Sequence, residues 1–137
     1  MEYNYEHEMK ARDYECDAQG VVNNANYLHY FEVSRHEFLE AKRVSFHRLR
    51  EQGVDMMVAR VDVRYKYPLQ GGDRFVIKLQ LRREGARLVV HHDLYKLPGE
   101  QLYTRCIAEI IALKDGRLTD GTIFDAIFAS ELGTKLP

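Results

Sequence analysis

The sequence predicts an α+β fold in which a curved antiparallel sheet wraps around one long central helix. Residues 26 to about 42 carry apolar side chains at helical spacing, whereas four later runs between 57 and 114 alternate apolar and polar residues as strands do. The breaks between these runs are short and contain Gly or Pro, which favours antiparallel pairing of consecutive strands in a meander. The long helix is the element large enough to cover the dry face of the sheet.

Size and charge limit what the chain can be. Its 137 residues are enough for one domain, 1–137. With 20 basic and 21 acidic side chains the net charge is -1, which predicts no nucleic-acid partner. Two cysteines fit a reduced protein in the cytoplasm. The first residues lack the apolar core of a signal peptide, and no apolar run is long enough for membrane insertion.

The chain opens with a predicted half-buried strand. Alternate positions share one face: Tyr3, Tyr5, His7, Met9 and Ala11. A turn over 17–20 ends this segment, because Asp at the first position and Gly at the fourth are typical of a type I turn.

The long helix is predicted from an apolar stripe and an opposite polar one. The apolar stripe is Tyr27, Leu28, Phe31, Ser34, Phe38 and Ala41, and the polar stripe is His29, Glu32, His36 and Arg43. A short polar helix is predicted near 46–52, and a small closing helix around Ile123, Phe124, Ile127 and Phe128.

Four strands are predicted at 57–65, 75–83, 87–96 and 102–114. In the first of them, alternation predicts a dry face and a wet face. The dry face would carry Met57, Ala59, Val61, Val63 and Tyr65, and the wet face Val58, Arg60, Asp62 and Arg64.

The segment 14–32, which joins the first strand to the long helix, has two interpretations. On spacing alone, Asp17 and Gly20 are typical of a turn, and Asn23, Asn24 or Asn26 of a helix cap. The functional interpretation is that a carboxylate precedes a helix N-terminus whose free N–H groups polarise a carbonyl oxygen. A thioester suits such a site, because its thiolate leaving group has a pKa near ~8.5 and needs little protonation.

A family resemblance supports the functional interpretation. The aromatic Tyr14, Asp17, Gly20, two valines, the Asn26-Tyr27 pair, and the later Tyr65-Lys66-Tyr67-Pro68 and Gly72-Asp73 occur in the order seen in one family. Over roughly residues 5 to 115 the chain resembles the 4-hydroxybenzoyl-CoA thioesterase family of hotdog-fold acyl-CoA thioesterases. The resemblance implies a hotdog fold, hydrolysis of an acyl-CoA to a free acid and CoA, and no metal or redox cofactor.

The resemblance also implies roles for individual residues. Asp17 would be the catalytic carboxylate, as nucleophile or general base, and the backbone N–H of Asn24 would polarise the thioester carbonyl. Val21 and Val22 would shape the acyl pocket. The remaining motif positions expected to contact substrate are Gly20, Tyr27, Tyr65 and Pro68. The protein would form homodimers, often assembled as dimers of dimers, with active sites at the dimer interface.

Two departures from the family pattern leave alternatives open. Glu15-Cys16 stands where Asp-Thr is common, and Asn24 stands where a His is common, although the Asn24 backbone N–H and side-chain amide remain donors. One alternative is a non-catalytic module that binds acyl-CoA or acyl-carrier protein. Another is a hotdog dehydratase or hydratase, but its site would need a His with an Asp or Glu on the central helix, which the sequence does not offer.

Overall fold

An antiparallel sheet and one long helix form the body of the protein, which confirms the predicted α+β class and hotdog fold. The computed structural model describes residues 2–133. The strands are β1 (Tyr5–Lys10), β2 (Val54–Tyr65), β3 (Arg74–Glu84), β4 (Arg87–Lys96), β5 (Leu102–Lys114) and β6 (Arg117–Leu118). The helices are α1 (Asn24–Ala41), α2 (Phe46–Glu51), α3 (Thr122–Ile127) and α4 (Ala129–Leu132), with a 3-10 turn at Asp13–Glu15 before α1.

The strand order corrects the predicted meander. The order is β1-β3-β4-β5-β2, so β2 pairs with β5 and not with β3, its successor in the chain. The connection between β2 and β3 crosses the start of α1 instead of turning back tightly. The Leu69 carbonyl accepts from the N–H of Val22 at 2.8 Å, and the Leu69 N–H donates to the Tyr27 hydroxyl at 3.0 Å. These bonds hold the connection against the helix.

Helix α1 begins two residues before its predicted start, because Asn23 caps it. The Asn23 side chain accepts a hydrogen bond from the N–H of Ala25 at 3.1 Å. The buried side chains of α1 are Tyr27, Tyr30, Phe31, Ser34, Phe38 and Leu39. The predicted stripe is therefore wrong at Leu28, which is 44% exposed, and at Ala41. Leu28 lies at the edge of the buried arc and Tyr30 and Leu39 complete that arc.

Strand β2 lies at the edge of the sheet and is only partly covered. A bulge between Val58 and Arg60 shifts its register, so Val58 faces the same side as Val61 and Val63, and the predicted alternation is wrong at this end of the strand. Helix α1 packs against β1 and β3. The inner face of β2 is consequently open, and Val58, Val61 and Tyr65 are 47%, 40% and 47% exposed.

The remaining elements close the core. Phe124 of α3 and Phe128, which follows α3, are buried beneath α1. This agrees with the small C-terminal helix predicted to close the core. His92 faces this core, with its ring 5.3 Å from that of Phe31. Within residues 2–133, none of the helices has the length and apolar composition needed to cross a bilayer.

Candidate active site

A small hairpin carries the first predicted site residues. Cys16 and Val22 are bridged in antiparallel fashion, and the Gly20 N–H donates to the Asp17 carbonyl at 3.0 Å, so the predicted turn is confirmed. Gly20 adopts a φ of 79°, a left-handed conformation that glycine accepts without strain. Val21 pairs with Gln70 of the β2–β3 connection. The hairpin is thus fixed between the start of α1 and this connection.

Asp17 lies at the tip of this hairpin and is exposed. One of its carboxylate oxygens, Oδ1, accepts from the N–H of Gln19 at 2.8 Å. Its other carboxylate oxygen, Oδ2, has no hydrogen-bond partner and no ion pair among residues 2–133. That oxygen is available to water or to a substrate.

The first turn of α1 contains an unused backbone donor. Asn23 accepts from Ala25 through its side chain and from the N–H of Asn26 through its carbonyl at 2.9 Å. In the described part of the chain, the Asn24 N–H has no acceptor. Because the N-terminus of a helix carries partial positive charge, this N–H can polarise a carbonyl oxygen placed against it.

A cavity of about 180 Å³ lies beside this helix start. Its walls are Val21, Val22, Asn24, Tyr27, Tyr65, Lys66, Tyr67 and Pro68. Six of the eight predicted site residues therefore come together, although they are far apart in sequence. Asp17 and Gly20 are not in the wall. Lys66 and Tyr67 were not predicted, and their position inside the Tyr65–Pro68 motif was the available signal.

Two tyrosines shape the cavity. The Tyr65 hydroxyl donates to the carbonyl oxygen of Asn24 at 3.2 Å, and the rings of Tyr27 and Tyr65 meet edge to face at 5.1 Å. Burial raises the pKa of both phenols above the ordinary value, so they are neutral hydrogen-bonding groups near pH 7.

Glu15 is a structural residue of the site that sequence analysis noted only as a departure from the family pattern. Its Oε1 accepts from the Tyr30 hydroxyl at 2.9 Å and from the Arg12 N–H at 2.7 Å. Its carbonyl accepts from the Asn26 side-chain amide at 2.7 Å. These bonds join the 3-10 turn before the hairpin to α1, so Glu15 fixes the base of the hairpin that carries Asp17.

Other candidate groups lie outside this cavity. Glu32 and His36 are 3.7 Å apart with side chains 55% exposed, which fits the solvated surface pair that their spacing favours. The structure between residues 2 and 133 contains no group of three or more His, Cys, Asp and Glu side chains arranged to hold a metal ion.

Comparison with known proteins identifies the family to which the chain belongs. Residues 11–118 match the thioesterase-like superfamily. The chloroplastic acyl-acyl carrier protein thioesterase ATL3 of Arabidopsis thaliana is 37% identical over 71% of this chain and 52% of its own length, so the chain spans about half of that relative. A 1,4-dihydroxy-2-naphthoyl-CoA thioesterase from Synechocystis superimposes with a TM-score of 0.78 at 18% identity, over 90% of this chain and 95% of its own. A Staphylococcus aureus protein in complex with CoA superimposes with a TM-score of 0.84 at 17% identity, over 100% of this chain and 89% of its own.

Proposed function

Since the chain belongs to the thioesterase-like superfamily, we propose that it is a thioesterase that hydrolyses acyl-CoA or acyl-carrier-protein thioesters. The observation that carries the proposal is the unpaired Asn24 N–H at the start of α1, in the wall of an apolar and aromatic cavity. The relative from Arabidopsis acts on acyl-carrier-protein thioesters, and the similar structure from Staphylococcus aureus holds CoA.

In the proposed reaction, the thioester carbonyl oxygen accepts a hydrogen bond from the Asn24 N–H. Negative charge that develops on this oxygen is stabilised by the positive end of α1. The acyl group enters the cavity between the valines and the tyrosines. The proposal requires the free carboxylate oxygen of Asp17, on the exposed hairpin, to reach the carbonyl carbon.

Asp17 can act in either of two ways, as a nucleophile or as a general base. As a nucleophile, it forms a bond to the carbonyl carbon as the C–S bond breaks, and water then hydrolyses the acyl-aspartate. As a general base, it takes a proton from water while the resulting hydroxide attacks the same carbon. In both, the sulfur leaves as a thiolate and is protonated by solvent. Neither route uses a metal or redox cofactor.

The proposal includes a homodimer formed along β2. This strand is 12 residues long, lies at the sheet edge and exposes apolar side chains. These features suit an edge strand that pairs with a second copy of the chain. A second copy would cover the open inner face of β2 and narrow access to the helix start. Pairs of dimers and a cytoplasmic location, which the two free cysteines favour, belong to the same proposal.

One observation favours a second candidate, a non-catalytic module that binds acyl thioesters. Asp17 is exposed and stands outside the cavity wall, so binding in the cavity does not by itself require the carboxylate. This alternative predicts saturable binding of acyl-CoA with no release of free thiol.

The test uses three variants and a thiol-release assay over short, long and aromatic acyl-CoAs. Asn24→Pro removes the proposed donor and little else, because proline is favoured at the first helical position and the preceding Asn23 is extended, with ψ of 138°. We expect about 100-fold lower kcat for Asn24→Pro. Asn24→Ala keeps the N–H and should retain kcat within about threefold.

Asp17→Asn should abolish turnover while circular dichroism shows a folded protein. Equal activity of Asn24→Pro and Asn24→Ala would show that the Asn24 N–H does not stabilise the oxyanion. Thioester binding without thiol release by the wild type would favour the binding module instead.

A further inference from the structure

A second cavity has a largely apolar wall that includes one arginine. This cavity, of about 280 Å³, lies between the C-terminal half of α1 and the inner face of the sheet. Most of its wall is apolar, and three polar side chains of α1 also line it: Glu32, Arg35 and His36. Glu32 and His36 lie 3.7 Å from each other and are 55% exposed, so their polar ends are hydrated. It is well separated from the helix start, since Arg35 lies eleven positions after Asn24 in α1, a rise of ~16 Å.

Arg35 makes few interactions for a guanidinium. Its Nη1 lies 3.0 Å from Nε2 of His92, and among residues 2–133 Arg35 has no carboxylate partner. His92 is fully buried and its Nδ1 lies 3.2 Å from the Cys106 carbonyl. Burial, reinforced by the Arg35 cation, lowers the pKa of His92 to about 3, so the imidazole is neutral and accepts from Arg35.

Arg35 is partly buried, and no carboxylate among residues 2–133, including that of Glu32 in the same wall, lies within ion-pair distance of it. A guanidinium stays charged at all physiological pH values, so a carboxylate brought within hydrogen-bond distance would stabilise it. An arginine has five N–H donors in a planar fork, and His92 accounts for one of them. The other donors fit the two oxygens of a carboxylate.

We propose that this cavity binds the carboxylate of an aliphatic chain, with Arg35 as its anchor. The apolar wall takes the chain and the guanidinium fork takes the two carboxylate oxygens. The exposed wall residues are Phe46 of α2 and Met57 and Val58 of β2, and the cavity opens to solvent beside them.

Two kinds of molecule would supply a carboxylate on an aliphatic chain. One is a free fatty acid, the product class of the proposed hydrolysis. The other is an acyl thioester with a second carboxylate at the far end of its chain, held by Arg35 while its thioester lies at the start of α1. The inference rests on the proposed function for these sources, but the binding itself does not require turnover.

Calorimetric titration of the Asp17→Asn protein with decanoate and with decanol tests the binding. The two ligands share an aliphatic chain, and only decanoate carries an anion. We expect decanoate to bind more tightly than decanol, and the further change Arg35→Met to weaken decanoate binding at least ~10-fold while decanol binding is unchanged. Arg35→Lys keeps the charge but not the planar fork of donors, so its affinity for decanoate should lie between those of the parent and Arg35→Met.

The two sources separate in a thiol-release assay of the protein with Asp17 intact. If Arg35→Met slows release from the mono-CoA thioester of hexadecanedioic acid but not from palmitoyl-CoA, the anchored group is the far carboxylate. If both rates are unchanged while decanoate binding is lost, the ligand is the free acid. Equal binding of decanoate and decanol to the Asp17→Asn protein, or undiminished decanoate binding to Arg35→Met, would overturn the site, whatever the outcome for hydrolysis.

Arg35→Met breaks no salt bridge among residues 2–133, but it leaves Nε2 of the buried His92 without its donor, so Tm is expected to fall. Circular dichroism and thermal unfolding of Arg35→Met and Arg35→Lys establish that both variants are folded at the temperature of the titration. Loss of decanoate affinity in Arg35→Met while decanol still binds as in the parent is then a loss at a folded site.

Discussion

The Tyr65 hydroxyl donates a hydrogen bond to the main-chain carbonyl of Asn24 at 3.2 Å. The bond joins the last residue of edge strand β2 to the first residue of helix α1, 41 positions earlier in the chain. Both residues line the smaller cavity. Tyr65 therefore orients the peptide unit next to the backbone donor on which the proposed chemistry depends.

Removing this hydroxyl should affect activity more than stability. We expect Tyr65→Phe to lower kcat/KM for thiol release about threefold to tenfold, and the free energy of unfolding by at most ~1 kcal/mol, because the bond is exposed. Steady-state kinetics and urea unfolding measure the two effects. The control is Tyr103→Phe, since the Tyr103 hydroxyl has no partner among residues 2–133 and is outside the cavity wall. An equal loss in both variants would mean that the Tyr65 bond has no particular role.

The sequence predicted the elements better than their connections. Hydrophobic periodicity located α1 and the four long strands, because each buries one face and the spacing records it. It could not predict that β2 pairs with β5, since pairing depends on contacts between Leu69 and the helix start that no local pattern encodes. The bulge near Val58 could not be predicted from the sequence either, because an extra residue in a strand leaves the local composition unchanged.

The same distinction applies to the sites. The motif positions around Asn24 were predicted because their order and spacing resemble those of a known family, whereas spacing alone indicated a turn and a helix cap. Glu15 and Arg35 were not, since their roles come from tertiary contacts with Tyr30 and His92. A lone Arg on an amphipathic helix usually reaches solvent, and its inward direction becomes visible only when the helix is placed on the sheet.

The exposed β2 edge leads to a prediction about assembly. A charge at its centre should oppose pairing of two copies, so Val61→Lys should shift the protein from dimer towards monomer in sedimentation velocity. Val33→Lys is the matched control, because Val33 is 38% exposed against 40% for Val61 but lies on α1. A dimer in Val61→Lys as stable as in Val33→Lys would exclude β2 as the contact. A monomeric wild type would exclude the dimer itself.

An ion pair on the outer face of the sheet should stabilise the fold. Asp93 is fully buried and accepts from Arg105 Nε at 2.7 Å and from the Tyr3 hydroxyl at 2.6 Å. Arg105→Met would leave this carboxylate with one partner and should lower the free energy of unfolding by about 2 to 3 kcal/mol, discounted because Arg105 is 38% exposed. Its cross-strand neighbour Arg64, 75% exposed, is the control. For Arg64→Met we expect a change below ~0.5 kcal/mol in chemical unfolding.

Acid should destabilise the protein through its buried histidines. Burial and the Arg35 cation lower the pKa of His92 to about 3, and burial and Arg82 lower that of His91. In the unfolded chain both return to ~6.5, so below that pH the unfolded state binds more protons than the folded one. The stability from the neutral rings is complete above ~6.5 and is lost as the pH falls, at up to ~1.4 kcal/mol per pH unit for each ring.

The measurement is the free energy of unfolding between pH 7.5 and pH 5 for the wild type and two variants. His92→Gln cannot be protonated, so its stability should fall less steeply than that of the wild type over this window, even if it is lower at pH 7.5. His47→Gln, at a ring 83% exposed in a surface pair with Glu51, should keep the wild-type slope. Equal slopes for His92→Gln and the wild type would show that His92 gains its proton in the folded state as readily as in the unfolded chain. The neutral acceptor assigned to Arg35 would then be wrong, because a protonated imidazole has no lone pair to offer that guanidinium.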